Sequence, residues 1–276
     1  MRALGRVVLA LAVALAVSPA LAKPARVVST NLCADQLALW LAEPARLHSV
    51  SRLAADADLS YFAARVGPRP LNRGLAEEVL ALRPDLVLAG QYQAQATNRL
   101  LRGQGIAVVE VGIADSLAAI VRQLRLVGAA LGEEASAEQA IGELPLAPAT
   151  VFPPADAPRA LVLRPSGYSA GGGSLGDELL SRAGLRNAAR EMGLRAFALL
   201  SLEQIAALSP ALFVLDRHDE RENSLAERLL AHPALRGARA KASTVVLPTR
   251  LWICPSPGIA QALARLAAAS AMLRLH

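Results

Sequence analysis

The sequence predicts an α/β protein with parallel strands, divided into two lobes. Two stretches carry this prediction, LAEEVLALRPDLVLAG at 75–90 and LSLEQIAALSPALFVLD at 200–216. Each has the pattern of a short amphipathic helix, a proline that cannot continue the helix, and an apolar run suited to a strand covered on both faces. Because glutamate, proline and apolar run have the same spacing in both, one unit occurs twice. Two unrelated units within one large α/β domain are the alternative interpretation.

The first 22 residues have the pattern of a removable secretory leader. Arg2 and Arg6 precede a uniformly apolar run at 7–17, Pro19 breaks the run, and 20–22 supplies the small residues of a cleavage site. The run is too short to span a bilayer stably. We therefore expect a signal peptide over 1–22 and a soluble mature protein in the periplasm or outside the cell. No lipid anchor is expected, since no cysteine adjoins the cleavage site.

The charge and the cysteines limit the function classes. The net charge is +6, with arginines scattered along the chain and no basic run interleaved with aromatic residues. This distribution argues against a nucleic-acid partner, although attraction to acidic ligands or membrane surfaces is compatible with it. The chain has 2 cysteines. In an oxidising compartment they form either one disulfide or two free thiols.

Helices and strands alternate along residues 23–131, which predicts a first lobe with parallel strands joined by crossovers. Thr30 and Asn31 can cap the first helix, and Asp115 and Ser116 can cap the last. The expected elements are strands at 25–29, 46–51, 86–88 and 107–111 and helices at 34–41, 91–101 and 116–131, besides the helix of the repeated unit.

Residues 132–158 form the predicted linker between the lobes. A helical pattern at 133–143 stops at Pro145, and four more prolines follow. The second lobe is expected over 159–276. It begins with a strand at 160–163, an irregular loop at 164–173 and a helix at 175–183, and after the repeated unit it continues with a helix at 225–231, a strand at 244–247 and a helix at 258–273.

The glycine-rich stretch Gly171–Gly176 satisfies G-x-G-x-x-G, the fingerprint of a dinucleotide site. Seven residues separate it from the preceding strand, and no acidic residue ends a strand about twenty positions later, so a loop at a ligand cleft is the better interpretation. His218 with Asp216 and Asp219 is the only candidate metal cluster, but the charged segment DRHDERE is more typical of a solvated loop. We expect no metal site, no cofactor and no catalysis.

Aromatic residues make up only 3% of the chain, so their positions are informative. Tyr61, Tyr92, Tyr168 and Trp252 all fall in predicted loops or at loop edges. Tyr92 and Trp252 follow the carboxyl ends of predicted strands, where open parallel sheets bind ligands. Each ring alone could cover the edge of the core, but four together favour a ligand cleft.

Several segments of the chain carry a family resemblance. The leader, RVVSTNLCADQL, the E-x-V-x-x-L-x-PDLVLAG element, LSLEQIAALSPALFVLD and HPALRGARA…VVLPTRLW resemble the periplasmic solute-binding proteins for iron complexes and vitamin B12. The resemblance covers nearly the whole mature chain. It implies two Rossmann-like lobes joined by a single linker helix, with the ligand between them, and delivery of the cargo to an inner-membrane ABC importer.

The resemblance also implies residue roles. Glu77 and Glu203 stand where the vitamin B12 system docks onto permease arginines, and Phe197 stands where the relative has a cleft tryptophan. The expected function is therefore that of a monomeric binder for a corrinoid or ferric chelate. Haem is the rival cargo, and a secreted enzyme with a nucleotide at Gly171–Gly176 is the rival from another class. The expected ligand-binding residues are Asn31, Tyr61, Tyr92, Arg164, Tyr168, Phe197, Arg250 and Trp252.

Cys33 and Cys254 are expected to bond to each other. Cys33 follows the first strand of the first lobe and Cys254 follows the last strand of the second, so both should lie at the cleft. Such a bond would tie the lobes together. Two unpaired thiols, or a thiol that contacts the metal of the cargo, are the alternatives.

Overall fold

The chain folds into two lobes, each built on a parallel sheet flanked by helices. The computed structural model describes residues 23–92, 94–146, 153–164, 167–217, 232–240 and 242–275. The predicted leader, the predicted helix at 225–231 and the pair His218 and Asp219 lie outside the described residues.

The first lobe contains a five-stranded sheet in the order β3-β2-β1-β4-β5, with every neighbouring pair parallel. Two short 3-10 helices, Arg52–Ala55 and Ala63–Arg65, lie between β2 and β3. The elements are β1 Val27–Ser29, α1 Leu32–Leu41, β2 Leu47–Ser51, β3 Leu71–Asn72, α2 Ala76–Ala81, β4 Leu86–Gly90, α3 Gln95–Gly103, β5 Ala107–Val111 and α4 Leu117–Leu131.

The second lobe contains a four-stranded parallel sheet in the order β11-β10-β6-β8 and a separate antiparallel ribbon of β7 and β9. A 3-10 helix, Thr249–Leu251, follows the last strand. The elements are β6 Arg159–Leu163, β7 Tyr168–Ala170, α6 Leu175–Arg182, β8 Arg186–Asn187, α7 Ala188–Glu191, β9 Phe197–Leu199, α8 Leu202–Leu208, β10 Leu212–Arg217, α9 Pro233–Ala240, β11 Ser243–Pro248 and α10 Gly258–Leu273.

The repeated sequence unit is also a repeated structural unit. In both lobes a short helix, α2 or α8, leads into a buried strand, β4 or β10, that pairs on both sides within its sheet. Arg83 and Ser209 end the two helices with left-handed backbone, at φ 47° and φ 41°, directly before Pro84 and Pro210. Proline disfavours a right-handed helical residue before it, so the same chemistry ends both helices in the same way.

Between the lobes, helix α5 (Glu134–Gly142) packs back against α4 and α1. Gly132 ends α4 with left-handed backbone at φ 68°. A Cβ on Gly128 would lie 2.5 Å from the Cβ of Ala137, so the glycine permits the close approach of the two helices. Of the linker expected at 132–158, the helix thus lies on the first lobe, and residues 147–152 lie outside the described part of the chain.

The two lobes share one hydrophobic core cluster, with members in α1 and α4 of the first lobe and α6 and α10 of the second. Hydrogen bonds also join the lobes. The amide of Gln261 donates to the hydroxyl of Tyr61 at 2.8 Å, and the backbone N–H of Leu117 donates to Glu178 at 2.9 Å. The shared core and these bonds position the lobes relative to each other.

Asp35 places a carboxylate inside the first lobe, with none of its surface exposed. It accepts hydrogen bonds from the backbone N–H of Ser51 at 3.1 Å and from the Ser51 hydroxyl at 2.5 Å. Burial removes water from the charged form and raises the pKa of Asp35 from 3.8 to about 6, against the opposing effect of the hydrogen bonds from Ser51.

We expect Asp35→Asn to change how stability depends on pH. Because the pKa of Asp35 is higher in the folded state, the folded protein binds this proton before the unfolded protein does as the pH falls through about 6. The resulting gain in the free energy of unfolding is complete only below pH 3.8, where the unfolded protein binds the proton as well. The wild type should therefore gain about 2 kcal/mol relative to Asp35→Asn between pH 7 and pH 4. Urea unfolding of both proteins at several pH values measures this difference, and parallel curves would contradict the assignment.

Candidate functional site

A cleft of about 370 Å³ lies between the lobes, at the carboxyl ends of the strands. The first lobe contributes Asn31 after β1, Tyr92 after β4 and Ile113 after β5. The second lobe contributes Arg164 after β6 and Trp252 after β11. Loops at the carboxyl ends of parallel strands are where open α/β sheets bind ligands, because neighbouring strand ends converge there.

Two further cavities adjoin this cleft and extend it. One, of about 590 Å³, reaches the α4 side through Glu110, Arg122 and Leu126. The other, of about 370 Å³, includes Tyr168. Phe197 lines all three spaces, so its ring stands at the centre of a larger recess between the lobes.

Apolar side chains are unusually exposed around this recess. The relative exposures are 71% for Tyr92, 62% for Ile113 and 51% for Phe197, whereas Trp252 is 9% exposed. A contiguous exposed apolar patch on a globular protein typically marks a binding surface. Here the exposed groups come from both lobes and line one cavity, which suits a ligand held between them.

The structure brings five of the eight predicted ligand residues into the cleft and a sixth, Tyr168, into the adjoining cavity. Tyr61 and Arg250 are not among the lining residues. The Tyr61 ring packs edge-on against Phe62, with centroids 5.1 Å apart, and its hydroxyl accepts the bond from Gln261. Tyr61 therefore covers the interface between the lobes, and Arg250 lies within the 3-10 helix that follows β11.

Asp216 organises the wall of the second lobe. Its carboxylate is 1% exposed and accepts a hydrogen bond from Arg164 Nε at 2.5 Å. The Thr249 hydroxyl donates to it at 2.7 Å and the Trp252 indole N–H at 3.2 Å. The guanidinium of Arg164 also lies 5.1 Å from the centroid of the Phe197 ring. One buried charge thus fixes two side chains that line the cleft.

Sequence reasoning considered Asp216 only as a metal ligand beside His218 and Asp219. The described residues contain no group of three or more histidine, cysteine or carboxylate side chains that could hold a metal ion. The repeat contained a signal that Asp216 has a role of its own, because this carboxylate occupies the position that Gly90 has in the first lobe. A Cβ at Gly90 would lie 2.9 Å from the Asn31 amide nitrogen, so the first lobe needs a glycine at this strand end.

The glycine-rich loop uses its N–H groups within the protein. Gly171 donates to the carbonyl of Ala196 at 2.6 Å and Gly172 to that of Leu194 at 2.8 Å. Gly173 donates to the Asp177 carboxylate at 3.1 Å. A phosphate site needs free N–H groups and no competing anion. The geometry therefore argues against a nucleotide at Gly171–Gly176.

Cys33 and Cys254 form a disulfide bond between the lobes, with Cα atoms 4.9 Å apart. Cys33 lies in the first turn of α1 and lines the cleft, and Cys254 is 2% exposed in the segment before α10. The structure thus contains the pairing that the sequence predicted. The bond adds a covalent tie to the shared core.

Glu77 and Glu203 occupy the same place in the repeated unit, each as the second residue of its helix. Both are exposed, and neither forms an ion pair with the other described residues. The neighbouring Glu78 instead pairs with Arg73 at 2.5 Å. Hydrogen bonds from Ser201 and from the backbone lower the pKa of Glu203, so it is charged at neutral pH.

Residues 27–247 match the family model described as periplasmic binding protein. The chain belongs to this family. The two parallel-sheet lobes and the cleft between them agree with this membership, and the family is a class of solute-binding proteins. Among the described residues, no helix is both long enough and apolar enough to cross a membrane.

Three relatives illustrate the similarity. A cobalamin-binding protein of Halobacterium salinarum is 27% identical over 254 residues, which cover 89% of this chain and 69% of the relative. A periplasmic heme-binding protein of Pseudomonas aeruginosa is 25% identical, with a TM-score of 0.64 over 91% of this chain and 92% of that one. The periplasmic heme-binding protein RhuT of Roseiflexus sp. RS-1, in apo form, is 23% identical, with a TM-score of 0.70 over 90% of this chain and 98% of that one. This last similarity concerns the fold alone.

We expect unreduced, denatured protein to contain no free thiol. Alkylation with iodoacetamide followed by intact-mass measurement should detect no adduct without reductant and two adducts after reduction. Because the bond closes 221 residues, Cys33→Ser with Cys254→Ser should lower the free energy of unfolding by up to about 5 kcal/mol. Two adducts without reductant would contradict the bond.

Proposed function

We propose that this protein is the periplasmic substrate-binding component of an ABC importer and carries a metal chelate to its permease. The cargo is a corrinoid of the vitamin B12 type or a ferric siderophore. The single observation that carries the proposal is the cleft between the lobes, with rings from both sides around an enlarged recess. Membership of the periplasmic binding protein family supports the transport role.

The cleft chemistry suits a large, partly apolar ligand. Ligand sites of this kind combine apolar walls with a few oriented polar groups. Here Tyr92, Ile113 and Phe197 would cover apolar faces of the cargo, and Asn31 and Arg164 would supply polar contacts. The metal travels inside the chelate, so the protein provides shape and hydrogen bonds and no coordination chemistry. The protein catalyses nothing in this proposal and acts as a monomer.

The comparisons favour two cargo classes. The Halobacterium salinarum relative is named a cobalamin-binding protein, which supports the corrinoid. The Pseudomonas aeruginosa structure is of a heme-binding protein, which makes haem the second candidate. Both ligands are metal macrocycles with apolar surface, so either could use the exposed rings of the recess.

Titration of the purified protein with coloured ligands tests the proposal. Cyanocobalamin, a ferric siderophore and hemin should be compared by absorbance and by quenching of tryptophan fluorescence, with NAD as the control for the enzymatic rival. The chain has 2 tryptophans, and Trp252 alone lines the cleft. We expect saturable binding of one chelate, detected as a change in its visible absorbance and as quenching of tryptophan fluorescence, with weaker binding to Trp252→Phe. Binding of NAD with no response to any chelate would contradict the proposal.

We also propose that residues 1–22 are a cleavable signal peptide. The basic start, the apolar run and the small residues before Lys23 support it. The intact mass measured for the disulfide experiment also gives the start of the exported chain, which should lie near Lys23.

We predict that Glu77 and Glu203 dock the protein onto the permease. Charge complementarity sets encounter rate and register in such complexes. Exposed carboxylates contribute only about 0–1 kcal/mol to folding. Glu77→Ala with Glu203→Ala should therefore leave cargo affinity and thermal stability unchanged and abolish uptake in cells.

A matched control removes two exposed glutamates elsewhere, Glu43→Ala with Glu138→Ala. This variant loses the same charge, and it should support normal uptake. The docking role is wrong if the Glu77 and Glu203 variant transports normally, or if both double variants fail equally.

A further inference from the structure

We propose that Arg164 is the specificity-determining residue of the cleft and that it selects chelates carrying a peripheral carboxylate or phosphate. The inference rests on the proposed function, because it names the chemical class of the chelate that the same cleft would carry. The distribution of charge around the recess supports this role.

The two walls of the cleft carry charges of opposite sign. Among the described residues that line the 370 Å³ cavity, the charged ones are Asp115 on the first lobe and Arg164 on the second. Asp115 is exposed and accepts a hydrogen bond from the Ser116 hydroxyl at 3.1 Å. The adjoining cavity toward α4 adds Glu110 and Arg122, and Arg102 pairs with Glu110 at 3.1 Å. Arg164 is therefore the cation of the central cavity and also lines the cavity that contains Tyr168.

The buried carboxylate of Asp216 holds the Arg164 side chain in place. Asp216 holds its Nε at 2.5 Å, and Asp216 is itself held by Thr249 and Trp252. The Asp216 side chain is 1% exposed, whereas the Arg164 side chain is 27% exposed. The negative end of the pair is thus buried, and the positive end faces the open space.

The Arg164 guanidinium has N–H donors that Asp216 does not use. Within the described part of the chain, the guanidinium has no hydrogen-bond acceptor besides Asp216. Its remaining N–H groups form a planar fork that matches two oxygens of a carboxylate or phosphate. Because Asp216 already orders the side chain, little rotamer freedom remains to be lost when an anion binds.

The nearby ring adds a second element of selection. Arg164 lies over Phe197, 5.1 Å from the ring centroid, and Phe197 lines the whole recess. A chelate whose apolar face contacts Phe197 would thereby bring its peripheral group to Arg164. A structural ion pair alone would hold Asp216 in place but would not distinguish an anionic chelate from its neutral counterpart.

Two pairs of probes vary the anionic group, and the Arg164 variants separate the effect of the charge from that of the other groups that the cobalamin pair also changes. Hemin carries two carboxylates that are esterified in hemin dimethyl ester. Cyanocobalamin carries a phosphodiester that dicyanocobinamide lacks. Dissociation constants for all four should be measured with the wild type, Arg164→Gln and Arg164→Lys. Arg265→Gln is the control, because Arg265 is exposed on α10 and does not line the cavities.

We expect the wild type to prefer the anionic member of at least one pair by about 10-fold or more. Arg164→Gln should remove that preference by weakening the anionic member alone. Arg164→Lys should keep part of it, since the charge remains and the fork is lost. Arg265→Gln should match the wild type. Thermal melts show whether each variant is folded.

The alternative results are distinguishable. Equal binding of both members by the wild type, or an unchanged preference in folded Arg164→Gln and Arg164→Lys, would overturn the role of Arg164 and leave the proposed transport function standing. Preference within the hemin pair would identify a carboxylate, and preference within the cobalamin pair that Arg164→Gln removes would identify a phosphate. Failure to bind any of these chelates or a ferric siderophore would overturn the proposed function and this inference with it.

Discussion

The second lobe depends on one buried charge, the carboxylate of Asp216. An unpaired ion in that position would cost several kcal/mol, so its surroundings must supply donors. Arg164, which follows β6, and Thr249 and Trp252, which belong to the turn after β11, do so from two segments of the lobe. Because these donors are directed toward Asp216, the guanidinium and the indole are both held at the cleft. The polar character of this wall and the position of its largest ring therefore have the same physical cause.

The repeat explains why the two walls differ. Both lobes present the carboxyl end of a central strand to the cleft, β4 in one and β10 in the other. At equivalent positions β4 has Gly90 and β10 has Asp216. The glycine admits the Asn31 side chain, which caps α1 by accepting from Cys33 and Ala34 at 3.0 and 3.4 Å. A duplicated unit thus yields a strand end that packs against a helix cap in the first lobe and a strand end that holds an ion pair in the second.

Local patterns were sufficient to predict the repeated units, the parallel sheets and the two lobes. Periodicity and proline chemistry act within ten or fifteen residues, as at Pro84 and Pro210. The ribbon of β7 and β9 was missed, and 164–173 was expected to be irregular, because three-residue strands carry no periodicity. Helix α9 was also not predicted. The pairing of Arg164 with Asp216 joins positions 52 residues apart, and no single-sequence pattern reports such a contact.

The location of Tyr61 is a second feature that local sequence patterns could not predict, and it affects how far the lobes can move relative to each other. A loop tyrosine is compatible with a place in a ligand cleft and with a place in the interface between lobes. Only tertiary packing determines which of the two locations the side chain takes. In this fold Tyr61 joins Gln261, while Cys33 joins Cys254 and one apolar core continues through both lobes. These ties restrict relative movement of the lobes, so the cleft is largely formed before cargo arrives. Binding to a preformed cleft loses less conformational entropy than binding that requires closure.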